Sequence, residues 1–256
     1  MKQIFILTTA LLVLIISCTS KIDFTANGLN VNSMYASDLM ISEISTAINT
    51  DPNANRQRSH YVEIFNGTSA NLDLSNYAIG YHAVSNTDSL YDWSFTPTTC
   101  LPLTGLLDSG KCYVVISKLS DTMLIPHDIT WGTTATFGNA SLPLQLSGNS
   151  AIALLKKDAA GSYDLGGNNY KIIDVFGSPL VARFVSTGAN SNRNNIMWPI
   201  AGESGDTRNR TIKRKYDVKN PTIDWSLSSG TDSTNSQWML SGSRAWDYSN
   251  VGLPTQ

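Results

Sequence analysis

His60-Tyr61-Val62-Glu63-Ile64-Phe65-Asn66-Gly67-Thr68 is the stretch on which the reading of the fold turns. Val62 and Ile64 alternate with Tyr61, Glu63 and Phe65, so an extended backbone presents one aliphatic and one mixed face. Asn66-Gly67-Thr68 then supplies turn chemistry and ends the strand. The same unit recurs on both sides. Upstream, Leu39 to Ile44 sets Met40, Ser42 and Ile44 against Leu39, Ile41 and Glu43. Downstream come Tyr77 to Val84, a short run at Trp93 to Phe95, and Cys112 to Ile116, whose β-branched and aromatic content suits a sheet centre. Leu142 to Leu146, with Pro143 marking an edge or a strand start, is followed by Ala151 to Leu155, Lys171 to Phe176 and Thr211 to Lys215. Beyond the N-terminal segment no stretch of ten residues has a helical period with caps. Short strands spaced by turns, without crossover helices, predict an all-β, antiparallel sandwich.

The N-terminus reads differently. Lys2 precedes the thirteen-residue run Ile4 to Ile16, interrupted only by Thr8 and Thr9, and Ser17-Cys18 follows. Such a run rises only about 20 Å as a helix, too short to span a bilayer core. It is expected to be a signal peptide over residues 1–17. Ile15-Ile16-Ser17-Cys18 is similar to a bacterial lipobox, which implies lipidation of Cys18 and a membrane-tethered product. Several acyl chains on one cysteine would hold it stably. An ordinary secretory leader with an incidental cysteine is the competing reading. Residues 18–37, mixed in Thr, Ser, Asn and Gly, read as a tether.

With Cys18 lipidated, Cys100 and Cys112 remain as a pair, expected to close a disulfide across a wide turn in an oxidising compartment, with two free thiols as the alternative. Only 15% of the 256 residues are charged and the net charge is −2, a balance that suits an exported protein and gives no steering field for nucleic acid. Trp198, Trp225, Trp238 and Trp246 punctuate the tail, and residues 211–256 are expected to return to the sandwich and complete one domain over 38–256.

Three ordered segments carry a resemblance: Leu39-Met40-Ile41-Ser42-Glu43-Ile44, then His60 to Thr68, then Leu72-Asp73-Leu74-Ser75-Asn76-Tyr77-Ala78-Ile79. Together they resemble the opening of the lamin tail domain family, with Asn76 where glycine is commoner. Ser109 to Val115, Gly148 to Leu155, Ile173-Asp174-Val175-Phe176-Gly177 and Thr211-Ile212-Lys213-Arg214 resemble its later strands. The match is close over 38–177 and loose beyond. The resemblance implies an immunoglobulin-like sandwich without a catalytic centre, of the kind found in exported bacterial proteins.

A search for chemistry returns little. His60, His82 and His127 stand at no metal-ligand spacing, and no serine sits in a nucleophile elbow. Glu43 and Glu63 are expected to face solvent or accept backbone hydrogen bonds at a sheet end, although they also suggest a glycosidase carboxylate pair. Asp88, Asp92, Asp121 and Asp128 offer loop oxygens for a structural calcium ion, but their spacing is not diagnostic and no cofactor or metal site is assigned. Trp131, Trp198, Trp238 and Trp246, with Arg208 and Arg210 in the basic run ending at Lys215, are the candidate interaction residues. The expected protein is a non-catalytic, lipid-anchored module of the cell envelope, on the outer membrane, contacting an envelope protein or surface polymer and no nucleic acid. A carbohydrate-binding module or an accessory subunit of a hydrolase is the alternative, and inward- or outward-facing tryptophans discriminate the two.

Overall fold

Alternating runs form strands wherever one of their faces finds a second sheet to cover it. The computed structural model describes residues 35–48, 58–82, 92–118, 120, 125–132, 144, 146, 148, 150–181, 184–185, 196–203, 207, 209–242 and 247–253. The expected signal peptide over 1–17, Cys18 and most of the tether lie outside the described residues, as do Arg208 and Trp246.

In chain order the strands are β1 (Met40–Ile48), β2 (Arg58–Phe65), β3 (Leu72–Asp73), β4 (Tyr77–His82), β5 (Cys100–Pro102), β6 (Leu106–Leu107), β7 (Cys112–Ser117) and β8 (Ile129–Trp131). They continue as β9 (Ala151–Lys157), β10 (Tyr163–Asp164), β11 (Asn169–Phe176), β12 (Phe184–Val185), β13 (Ile196–Met197), β14 (Thr211–Arg214) and β15 (Trp238–Leu240), with one short helix, α1 (Trp225–Ser229). One sheet has six strands in the order β15-β14-β1-β2-β7-β8, and the facing sheet has five in the order β10-β11-β9-β4-β5. The six long strands divide as β1-β2-β7 against β11-β9-β4, the Greek-key partition of an immunoglobulin-like sandwich. β8 departs from the antiparallel expectation, since it adds to the edge of β7 in parallel. Trp93 to Phe95 also departs from its predicted strand: it is irregular, and its two rings stack at 5.6 Å. Of the run Leu142 to Leu146 only Leu144 and Leu146 are described, and both are buried.

The inner faces carry the core. Ile41, Ile44, Val62, Ile64 and Val115 come from one sheet and Ile79, Ile152, Leu154 and Phe176 from the other. β14 and β15 carry residues 211–214 and 238–240 back onto the edge of β1, through Ile44↔Ile212 and Arg214↔Trp238. Four aromatic rings gather at that end: Phe176 meets Trp225 edge-on at 5.2 Å and Trp238 at 5.4 Å, while Trp198 reaches Trp225 at 6.2 Å. Gly177, in the left-handed region at φ 71°, admits this packing, because a β-carbon there would fall 2.5 Å from Nε1 of Trp198.

One ion pair ties the two sheets. Asp174 on β11 accepts Nη1 of Arg214 at 2.9 Å and Nη2 at 3.1 Å. It also accepts the Ile41 N–H at 2.8 Å and the Thr222 N–H at 2.9 Å, so both carboxylate oxygens are doubly occupied. A β-bulge between Ile172 and Asp174 turns this acid inward. Burial pushes its carboxyl above the usual aspartate range, opposed by the guanidinium and the two backbone donors. The guanidinium in turn lies 4.4 Å above the Trp238 ring. Arg214→Met leaves a buried carboxylate with no cation and is expected to cost about 3–5 kcal/mol in urea unfolding. Replacing both partners, as Asp174→Leu with Arg214→Met, is expected to recover most of that loss. A single-variant loss below about 1 kcal/mol, the size of an exposed pair, would show that the pair does not hold the sheets together.

Candidate functional site

The nominated interaction residues that are described, Trp131, Trp198, Trp238 and Arg210, turn inward; Trp246 and Arg208 lie outside the described residues. Trp198 and Trp238 are buried in the aromatic cluster, and Trp131 is buried at the end of β8. They are core residues and not a surface patch, because each ring covers a gap between the sheets and gains more by leaving water than by stacking on a ligand. Arg210 is also buried: it donates from Nη1 to the Ser241 carbonyl at 2.8 Å and pairs through Nη2 with Glu203 at 2.8 Å. It braces the loop before β14.

The expected disulfide is absent. Cys100 and Cys112 are both free thiols, carried by β5 and β7 on opposite sheets of the sandwich. The intervening segment is not a simple wide turn. It crosses between the sheets, burying Leu103 and Leu107 and pairing β6 with β3 on the way. Burial raises the Cys100 thiol to about 12. Burial, reinforced by the Glu63 carboxylate to which the thiol is hydrogen-bonded, pushes Cys112 up as well.

Glu43 and Glu63 were expected to face solvent or to accept backbone hydrogen bonds at a sheet end; both are wholly buried on the outer face of the six-stranded sheet, and Glu63 does accept a backbone N–H. They stand directly opposite each other across β1 and β2, and Lys213 of β14 stands opposite Glu43 on the other side. A bulge between Ile41 and Glu43 brings Ser42 to the same face, where its hydroxyl donates to Glu63 at 2.6 Å. The Tyr61 hydroxyl donates to Glu43. Residues 247–253 lie over the pair. The Gly252 N–H donates to Glu63 at 2.8 Å, Asn250 reaches Glu43 at 3.5 Å, and Lys213 bonds Asp247 at 3.0 Å and also Asn250. Val251 and Tyr248 pack on Tyr61, Val114, Ile116 and Ile125 to form a second, smaller apolar cluster. Burial raises Glu43 to about 7, with the Tyr61 bond opposing and the Glu63 charge reinforcing the shift. Burial also raises Glu63. A carboxylate pair roofed by its own chain offers no face to a glycosidic bond.

An open groove of about 560 Å³ lies at the neighbouring end of this face, lined by Tyr35, Met40, Phe65, Lys215, Tyr216 and Lys219 among others. Tyr216 is exposed, and the Lys219 ammonium sits 4.3 Å over its ring. Of the loop aspartates, Asp92 is exposed, Asp128 accepts the Val114 N–H at 2.7 Å, and Asp88 and Asp121 lie outside the described residues. Among the described residues no group of three or more His, Cys, Asp or Glu is placed to hold a metal.

No family model and no curated protein matches the chain. Among solved structures it is similar to a DUF4876 family protein from Bacteroides thetaiotaomicron, at 11% identity over 82% of this chain and 69% of that one, with a TM-score of 0.41. No function passes between the two chains at that distance.

Sequence reading missed the Asp174–Arg214 pair and the covered Glu43–Glu63 pair. One signal for each was present: a lone acid inside an apolar strand run is stable only with a partner. Peptide mapping under non-reducing conditions is expected to find Cys100 and Cys112 unlinked, and a cross-linked peptide would contradict the strand placement. Trp198→Ala is expected to cost about 3–5 kcal/mol in unfolding free energy, the signature of a core aromatic. An unchanged urea midpoint would return that ring to the surface.

Proposed function

We propose that the chain is a lipid-anchored protein of the cell envelope whose sandwich, akin to lamin tail domains, is a non-catalytic structural or protein-interaction module. One observation carries this reading: the polar residues of the motifs are engaged in building the fold. Asn66 donates to the Ala70 and Leu107 carbonyls at 2.9 Å each, and Asp73 caps the turn at Ser75 at 2.9 Å. Asp174 and Arg214 join the sheets, and Glu43 and Glu63 hold the covering segment. Groups committed in this way stabilise a scaffold and leave few free for proton transfer or nucleophilic attack. The carbohydrate-binding alternative was motivated by the Trp and Tyr content; of its tryptophans Trp131, Trp198 and Trp238 face inward, and Trp246 lies outside the described residues.

In this reading Cys18 carries the acyl chains and the outer membrane holds the domain beside its partner; the expected tether to residue 37 is shorter, since Ala36 is buried and donates its N–H to the Gly67 carbonyl at 2.9 Å. An envelope protein or surface polymer meets the sandwich at its open groove, where Tyr216 and Lys219 combine an aromatic surface with a cation. Metabolic labelling with a fatty acid is expected to mark the wild-type chain and not Cys18→Ala. A photoreactive residue in place of Tyr216 is expected to yield a discrete adduct with an envelope component, and one in place of exposed Leu106 is not. Equal labelling of the wild type and Cys18→Ala would remove the anchor. Failure to cross-link from position 216 would remove the groove as the contact surface.

A further inference from the structure

We propose that residues 247–253 form a strap that stays seated on the six-stranded sheet while the Glu43–Glu63 pair holds a proton, and loosens when both carboxyls ionise. The argument begins with geometry. The two side chains face each other from directly opposed positions on neighbouring strands, with no exposure to water. Like charges at such positions repel, and enclosure removes the water that would screen them.

The groups around the pair decide which charge can relieve it. β2 contributes Tyr61, whose hydroxyl is bonded to Glu43, and β7 contributes the Cys112 thiol, bonded to Glu63. The loop before β8 contributes Asp128, held by the Val114 N–H. The strap brings Asp247 and Tyr248, the latter edge-on to Tyr61 with ring centres 6.2 Å apart. Among the described residues Lys213 on β14 is the cation that acts on both glutamates, and its ammonium is bonded to Asp247 and Asn250, both on the strap. The strap therefore carries a carboxylate that engages the charge standing next to Glu43. With both glutamates ionised, Glu43, Glu63 and Asp247 share one lysine, and a proton on the pair lowers that excess.

The sign follows from the raised carboxyls. Glu43, raised from an ordinary 4.5 to about 7, favours its protonated form in the folded chain. Its contribution is complete below its unfolded value and is lost as the pH rises through about 7. Much of what covers the pair, the Gly252 N–H on Glu63 and the Asn250 amide on Glu43, belongs to the strap; these donors favour the ionised carboxyls, but burial under the strap outweighs them and raises both. β1 and β2, by contrast, are paired along their lengths at the sheet centre. Water reaches the ionised pair most readily by displacing the strap, which bares Tyr61, Val114, Ile116 and Ile125.

Amide hydrogen exchange of the full-length chain, with rates corrected for the intrinsic effect of pH, tests this. Protection of residues 248–253 is expected to fall at least about tenfold between about pH 5 and pH 8, while amides of Ile44 and Val62 keep theirs. Glu43→Gln is expected to hold strap protection at both pH values. Glu63→Gln provides a second test and should behave as Glu43→Gln does. Strap protection that is the same at both pH values in the wild type overturns the proposal. So does a wild-type-like loss in either folded glutamine variant.

Discussion

The bidentate pair between Arg214 and Asp174 is the constraint on which the rest of the sandwich depends. A charge taken out of water is tolerated only when its partners satisfy it fully, and here two guanidinium nitrogens and two backbone amides do so. Those partners come from far apart in the chain: β1, β14 and the segment before α1 converge on one residue of β11. The pair thereby fixes the register of the returning tail. Once Arg214 is placed, Trp238 lies beneath its guanidinium and Trp225 and Phe176 close around it.

The outer face of the same sheet is governed by a second buried acid site with a different balance. Asp174 has its own cation, whereas Glu43 and Glu63 compete with Asp247 for Lys213. Both sites lie at β-bulges, where an extra residue re-aims a side chain that strict alternation would have placed otherwise. The inner site is a permanent tie between the sheets. The outer one is a covered surface whose cover is held by hydrogen bonds to titratable groups.

Much of the fold was legible in the sequence because a period of two survives wherever one face is buried. Met40 to Ile44, Tyr61 to Phe65, Cys112 to Ile116, Ala151 to Leu155 and Lys171 to Phe176 all fall within strands. Trp93 to Phe95 misled because aromatic content mimics strand propensity, whereas those rings pack by stacking from irregular backbone. The cysteines misled for a related reason: eleven residues between them looked like one turn, yet the chain crosses the core in that interval. The tryptophans were legible as residues that must pack but not as to where, since spacing along the chain does not tell an inward ring from an outward one. Glu43 and Glu63 were visible as acids in apolar strands, but the segment that covers them lies some two hundred residues away in sequence, and no local pattern predicts it.

The account claims that the tail after residue 209 is part of the core and not an appendage. Equilibrium urea unfolding followed in parallel by tryptophan fluorescence and far-ultraviolet circular dichroism tests this most directly. Of the six tryptophans Trp225, Trp238 and Trp246 belong to that tail and Trp198 packs on Trp225, so the fluorescence reports in large part on the tail, and the dichroism on both sheets. The two curves are expected to coincide in one cooperative transition. A fluorescence transition that is complete at lower urea, with the sheet signal intact, would contradict the claim.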